Sequence, residues 1–152
     1  MFKRNSLVPE LIVSDLEASL GFWVSLLGFD IAYQRPEQRF AYLDLNGSQV
    51  MLEQLDPDDN WLTGPLEKPL GRGMHLQIDV VAVEPLIERL EQQRWPLFRP
   101  CEEVWYRVGE AEVGLRQFLV QDPDGYLLRL AQSLGERAVS ERSQTRLLEA
   151  WT

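Results

Sequence analysis

A turn that runs directly into an alternating strand is the feature that most constrains the fold of this chain. The turn is Asp122-Pro123-Asp124-Gly125, which combines the residue types that favour tight turns, and residues 126–132 then alternate as a strand. A weaker copy stands earlier, where Asn46-Gly47 leads into residues 48–54. Gly125 lies 78 positions after Gly47, and the flanking patterns match at that offset. The sequence therefore predicts two copies of one structural module.

Both copies show the same order of patterns: a strand, a helix and three further strands. The predicted fold class is α+β, with two β-α-β-β-β modules that form paired curved sheets with one helix over each. Within the second module, the segment 100–109 is expected to be irregular. The predicted boundaries are a first module over residues 5–55, a linker over 56–72, a second module over 73–132, and a C-terminal tail or short helix over 133–152.

One face of the predicted strands is unusually polar for a sheet interior. Because successive strand residues point to opposite faces, Glu10, Glu53, His75 and Arg129 share this face. A buried polar cluster costs stability unless it is paired or hydrated. We therefore predict a ligand-accessible cleft on a concave side of the sheets, with Arg129 paired to an acid across it or to the ligand.

Charge and cysteine content limit the partners. The chain has 15 basic and 24 acidic residues, a net charge of -9. Such a surface repels nucleic acid and attracts cationic small molecules. No apolar run approaches the length of a membrane span, and the N-terminus lacks the apolar region of a signal peptide. The charge and the absence of a long apolar run predict no nucleic-acid or membrane partner. The single cysteine, Cys101, cannot form an internal disulfide, so a cytoplasmic location is expected.

Two groups of motifs stand at the ends of the repeated region. The opening motifs are Val8-Pro9-Glu10-Leu11, Ser14-Asp15-Leu16, Phe22-Trp23 and Leu27-Gly28-Phe29. The closing motifs are Arg116-Gln117-Phe118, Asp122-Pro123-Asp124-Gly125 and Leu127-Leu128-Arg129-Leu130. In this order, both ends resemble the vicinal-oxygen-chelate superfamily, which includes glyoxalase I, extradiol dioxygenases and bleomycin resistance proteins. The likeness is greatest to the bleomycin resistance proteins, and it implies a homodimer with ligand clefts at the subunit interface.

The resemblance also implies where a metal would be held. The enzymes of the superfamily use one residue from the first and one from the fourth strand of each module. Those positions here are Val8, Met51, His75 and Arg129, of which only His75 is a metal-ligand type. No metal, cofactor or catalytic residue is therefore predicted. The alternative is a metal-dependent glyoxalase- or dioxygenase-type enzyme that uses His75 and Glu53, with Glu10 recruited as well.

The resulting hypothesis is a metal-independent protein that sequesters a cationic or aromatic, antibiotic-like ligand. A dimeric module that binds a cellular metabolite is the other binding hypothesis. Val113 stands where bleomycin resistance proteins carry a stacking tryptophan. Trp105 and Tyr106 either replace that tryptophan over the cleft or form a dimer contact. The predicted ligand-binding residues are Phe40, Tyr42, Glu10, Glu53, His75, Trp105, Phe118 and Arg129.

Overall fold

The computed structural model describes residues 2–139, which form eight strands and two main helices. The first module contains β1 (Glu10–Val13), α1 (Leu16–Leu20), β2 (Asp30–Arg35), β3 (Phe40–Leu45) and β4 (Ser48–Gln54). The second contains β5 (His75–Asp79), α2 (Glu84–Gln92), β6 (Leu97–Val108), β7 (Ala111–Gln121) and β8 (Leu127–Ala138). A π-helical segment, Gly21–Leu26, continues α1, and a short 3-10 helix, Pro36–Gln38, precedes β3.

The two sheets have the same topology. The strand orders are β1-β4-β3-β2 and β5-β8-β7-β6. In each sheet the first strand pairs in parallel with the last strand of its module, and the other pairings are antiparallel. The predicted α+β class with two β-α-β-β-β modules is therefore confirmed.

The first helix shows how local sequence sets the element. Asp15 caps it, because its Oδ1 accepts hydrogen bonds from the backbone N–H groups of Glu17 (3.0 Å) and Ala18 (3.2 Å). The π-helical continuation buries Phe22 and Trp23. In the second module, α2 begins at Glu84 with a proline in its first turn and buries Leu86 and Leu90.

A single apolar core joins the two modules. Each sheet turns one set of alternating side chains towards this core, for example Leu11 and Leu52 in the first sheet and Ile78 and Leu130 in the second. The opposite faces carry the polar residues. We call these the first open face, on the β1–β4 sheet, and the second open face, on the β5–β8 sheet. Because the apolar faces share one core, both open faces are directed away from it.

The Asp122–Gly125 turn ties the second module to the first. Trp23 Nε1 donates to Asp122 Oδ2 at 3.2 Å, and the Ser14 N–H donates to the Asp124 carboxylate at 3.1 Å. Asp122 Oδ1 also accepts the backbone N–H groups of Asp124 (3.0 Å) and Tyr126 (2.9 Å). Both carboxylates are buried. The turn that marks the repeat in the sequence is therefore also the joint between the modules.

A glycine is required at the end of this turn. Gly125 has φ +95°, and a Cβ at this position would lie 2.5 Å from Pro69 Cβ and 2.6 Å from Pro69 Cα. Both the positive φ and the short distances to Pro69 therefore require glycine at this position.

Two strands of the second module are longer than the sequence pattern predicts. The segment 100–109, expected to be irregular, belongs mostly to β6, and residues 133–138, expected in the tail, continue β8. β6 is an edge strand whose register shifts between Arg99 and Glu102, so it accommodates Pro100 without losing an essential ladder hydrogen bond. The rest of the predicted tail, from residue 140, lies outside the described residues.

The buried Asp122 generates a pH prediction. Burial raises the pKa of this carboxyl to about 6 from an ordinary value of 3.8, although the hydrogen bond from Trp23 and the backbone N–H groups oppose the rise. Between these two values the folded protein binds more protons than the unfolded chain. The unfolding free energy contributed by this group is therefore largest below pH 3.8 and is lost as the pH rises through 6.

An Asp122→Asn variant isolates this contribution because it does not titrate. The unfolding free energy of the parent protein minus that of the variant should fall by about 3 kcal/mol between pH 3.5 and 7. Urea unfolding at a series of pH values measures the difference. Asp58→Asn, which removes an exposed carboxyl of the linker, is the matched control variant. A difference for Asp122→Asn that stays constant or rises with pH would contradict the assignment.

Candidate functional site

An aromatic layer covers part of the first open face. Phe40 and Tyr42 lie on this face, as predicted from strand parity, but their exposed fractions are only 2% and 0%. The Phe2 ring centroid is 5.1 Å from that of Tyr42, and Tyr33 stacks on Tyr42 at 5.1 Å. The Arg35 guanidinium lies 3.8 Å from the Phe40 ring centroid. Phe40 and Tyr42 therefore support the face from below and are not accessible to a ligand in this conformation.

Gln49 fastens the N-terminal segment over this layer. The Tyr42 hydroxyl donates to Gln49 Oε1 at 2.5 Å, and the Asn5 N–H donates to the same oxygen at 2.8 Å. Gln49 Nε2 donates to the Lys3 carbonyl (2.8 Å) and to Asp44 Oδ1 (2.9 Å). Burial raises the pKa of Tyr42, so its hydroxyl stays a donor.

An acid-rich pocket of about 460 Å³ occupies the other part of the first open face. We call it the acid pocket. Glu10 and Glu53 come from neighbouring strands, and the linker closes one side of the pocket. The lining residues are Glu10, Ile12, Arg35, Glu53, Gln54, Asp56, Asp59, Asn60 and Trp61. With four carboxylates and one guanidinium, the lining favours a cation.

Glu10, which lines this pocket beside Glu53, is a weaker acid than an ordinary glutamate. The pKa of Glu10 is raised by partial burial, then by a hydrogen bond and charge repulsion from Glu53, while the charges of Arg35 and Arg4 oppose the rise. Two carboxylates held this closely gain from a cation placed between them, because it relieves their repulsion.

Trp61 stands at the rim of the acid pocket with 90% of its surface exposed. Because sequence patterns assign it to the linker, it is absent from the predicted binding residues. The signal that identifies it is its place in an acidic run, Asp56-Pro57-Asp58-Asp59-Asn60-Trp61, directly after the strand that carries Glu53. An exposed indole beside carboxylates is suited to stacking on aromatic rings and to cation–π contact.

The second open face holds a separate pocket of about 430 Å³. Arg129 Nη2 donates to Gln77 Oε1, and Gln77 Nε2 donates to Asp79 Oδ1 at 3.3 Å. The Arg129 guanidinium carbon lies 5.6 Å from the Tyr106 ring centroid. Of the two expected partners of Arg129, an acid across the cleft or the ligand, no acid among the described residues pairs with it, and its hydrogen bond goes to the Gln77 amide. The lining residues are Gln77, Asp79, Val80, Tyr106, Val113, Leu115, Arg129, Ala131 and Ser133.

The structure does not gather all the predicted binding residues into one cleft. Glu10 and Glu53 line the acid pocket, whereas Arg129 lines the pocket of the second open face. His75 is exposed at the start of β5, beside Leu127, and it lines neither of these pockets. Within one chain, four of the eight predicted residues lie on the first open face and two on the second, and the remaining two, Trp105 and Phe118, lie on neither.

The structure corrects the predicted location of Phe118. The repeat offset predicts it on the open face, but the ring is fully buried in the core and lies opposite Leu130. The second hairpin has one more residue than the first between equivalent ladder partners. Eight residues separate Tyr42 from its partner Met51, but nine separate Leu119 from Arg129, so Leu119, not Val120, lies opposite Arg129. One added residue exchanges the two faces of a strand.

The structure also corrects the predicted position of Trp105 over the cleft. It is the partner of Gly114 in the β6–β7 ladder, and a Cβ on Gly114 would lie 2.7 Å from the indole ring. The Arg137 guanidinium lies 4.0 Å from the centroid of the same ring. Tyr106, the next residue along the strand, is the one that lines the second open face. Because adjacent strand residues point to opposite faces, only one of the two aromatics reaches the pocket.

The residues at the metal positions of the fold do not fit a metal. Val8 and Met51 are apolar, and Arg129 places a cation where a ligand would stand. Across residues 2–139, no group of three or more His, Cys, Asp or Glu side chains is arranged to hold a metal ion. No chemical step through a metal is therefore derived from this chain.

Comparison with known proteins identifies the family. The sequence profile of the Glyoxalase/Bleomycin resistance protein/Dioxygenase superfamily matches residues 5–130. The chain therefore belongs to this superfamily, which confirms the resemblance at that level. The nearer likeness to bleomycin resistance proteins stays a prediction.

Solved structures include several similar proteins. A superfamily member from Vibrio splendidus 12B01 is 38% identical, with 82% of this chain and 95% of that chain covered and a TM-score of 0.37. TioX from Micromonospora sp. ML1 is 22% identical, with 86% and 100% covered and a TM-score of 0.63. A virulence protein from Salmonella typhimurium is 18% identical, with 87% and 98% covered and a TM-score of 0.60. The last two show a shared fold.

No protein with a curated description matches the chain. Among the described residues, no helix is both long and apolar enough to cross a membrane.

The carboxyl pair of the acid pocket gives a direct test of its electrostatics. Replacing Glu53 by Gln removes a negative charge and keeps the side-chain shape, so the pKa of Glu10 should fall towards its ordinary value of 4.5. Carbon-detected NMR titration of the Glu10 carboxyl measures the change. Glu37→Gln, an exposed site, should leave this pKa where it is in the parent. An unchanged or higher Glu10 pKa in Glu53→Gln would show that the two groups do not interact.

Proposed function

We propose that this protein binds a cationic aromatic small molecule without the help of a metal. The observation that carries the proposal is the acid pocket, which the Glu10–Glu53 pair lines together with the exposed indole of Trp61. A cation would relieve the carboxylate repulsion, and an aromatic group would stack on the indole. The net charge of -9 would raise the association rate of such a ligand.

The biological role that fits this chemistry is sequestration of an antibiotic-like ligand. Support comes from the family, whose name includes bleomycin resistance proteins, and from the misfit of the metal positions. A cytoplasmic location belongs to the same proposal, because the free thiol of Cys101 is exposed. Partial burial raises the pKa of this thiol, so the proposal gives it no reactive role.

Calorimetric titration tests ligand binding. The probes are bleomycin and benzyltrimethylammonium, with benzyl alcohol as the uncharged aromatic. Both cations should bind, and benzyl alcohol should not. Trp61→Ala and Glu53→Gln should each weaken cation binding by about fivefold or more, whereas Glu37→Gln should not. Absence of binding by both cations, or equal binding of benzyl alcohol, would refute the proposal. Binding of benzyltrimethylammonium alone would reject bleomycin as the ligand and keep the class.

Metal analysis tests the enzyme hypothesis that uses His75 and Glu53. We expect less than stoichiometric zinc, iron, manganese or nickel in protein purified without chelator, because His75 and Glu53 lie on different sheets and line no common pocket. A stoichiometric metal that is lost in His75→Ala, while Glu37→Gln retains it, would overturn the metal-free proposal.

A homodimer is also part of the proposal. β6 is a long edge strand, and it exposes the apolar side chains of Phe98 and Val108. Apolar exposure on an unpaired strand edge favours association with a second copy. Sedimentation equilibrium should show a dimer at micromolar concentration, and Val108→Lys should weaken it, while Val81→Lys, an exposed site outside β6, should not. A monomer at all concentrations would refute the dimer.

A further inference from the structure

The second open face contains a cation whose hydrogen-bonding capacity is largely unused. Among residues 2–139, Arg129 forms no ion pair, and its side chain donates a hydrogen bond to the neutral amide of Gln77. Its Nε–H is buried and has no acceptor. A guanidinium has five donors in a planar fork, and a buried donor without a partner is costly. The arrangement therefore favours an acceptor from outside the chain.

Gln77 keeps this cation separate from the nearest acid of the pocket. Its Oε1 accepts from Arg129 while its Nε2 donates to Asp79 Oδ1 at 3.3 Å. The Asp79 carboxylate is thereby engaged by the amide, and the guanidinium retains its charge for a ligand. The planar fork is complementary to a carboxylate, which can accept two parallel hydrogen bonds from it.

Tyr106 adds a second donor. Its hydroxyl oxygen accepts a hydrogen bond from Gln117 Nε2 at 2.9 Å, and its own proton has no acceptor among the described residues. The same Gln117 amide donates to Glu102 Oε1 at 3.3 Å, so its nitrogen faces the two oxygens. Gln117 is only 3% exposed. This buried amide therefore holds the Tyr106 oxygen in place, and a ligand acceptor can take up the hydroxyl proton.

Apolar side chains form the remaining wall of the pocket. Val80, Val113 and Leu115 lie in the same lining as Arg129 and Tyr106, in a space of about 430 Å³. A ligand for this space carries one acceptor group for the two donors and an apolar body for the wall. An aromatic or branched carboxylate has these properties.

We propose that the second open face is a binding site for a small apolar carboxylate, which is held by the Arg129 guanidinium and the Tyr106 hydroxyl. The site is distinct from the acid pocket, since the two share no lining residue, and it selects the opposite charge. Gln77 and Gln117 act as positioning residues, because each holds one of the two donors in place.

NMR titration with benzoate tests the site, with benzamide as the uncharged probe of the same shape. Benzoate should shift the Arg129 side-chain Nε–H and the backbone amides of residues 106 and 129, and benzamide should bind more weakly. Arg129→Gln should weaken benzoate binding by about thirtyfold and Tyr106→Phe by about tenfold. Arg107→Gln removes the same charge from an arginine that binds the Gly109 carbonyl, and it should have little effect.

Three results would overturn the proposal: no benzoate binding, equal affinity for benzamide, or benzoate binding that survives Arg129→Gln. Benzyltrimethylammonium separates this proposal from that for the acid pocket. Its binding should survive Arg129→Gln and be weakened by Glu53→Gln, whereas benzoate binding should show the reverse dependence. Failure of benzoate to bind would thus refute only the site on the second open face, and failure of benzyltrimethylammonium would refute only the acid pocket.

Discussion

Two buried carboxyl groups form a polar joint between the modules of this protein, in addition to the apolar core that the modules share. Asp122 accepts hydrogen bonds from the Trp23 indole and from its own turn, and Asp124 accepts the N–H of Ser14 at the end of β1. Lys68, in the linker, lies 3.4 Å from Asp124 and offsets part of its charge. Neither module has a closed core of its own, so the relative placement of the two sheets depends on the shared apolar core and on this joint.

The face of the sheet on which a residue lies could be predicted from the sequence where the alternation along paired strands is uninterrupted. Glu10, Glu53 and Arg129 lie on open faces for this reason. The predicted face is wrong for Phe118, because the alternation of residues on either side of a turn does not determine the length of the turn. An apolar residue fits both the core and an aromatic-lined cleft, so only the register of the ladder distinguishes the two locations.

The accessibility of the predicted site could not be read from the sequence at all. Tyr42 has the right parity, yet Phe2 and Tyr33 cover it, because residues near the N-terminus fold back over β3. Trp61 has no periodic pattern around it, yet it stands beside the carboxylates. Both outcomes depend on where nonrepeating segments cross the sheets, and such segments are placed by individual side-chain contacts such as those of Gln49.

The extra residue in the second hairpin turn makes the two modules unequal partners. The first module ends its hairpin with the two-residue turn Asn46-Gly47, which contains no carboxylate, whereas the second places Asp122 and Asp124 in its turn. A chain assembled from two copies of the first module would retain every strand pairing within each sheet. It would nevertheless lack the carboxylate of Asp124, because Asn46 stands at the matching position, and the Ser14 N–H would lose that acceptor. The internal symmetry of the fold therefore describes the sheets and their shared core, while the acidic joint lies at the place where that symmetry is broken.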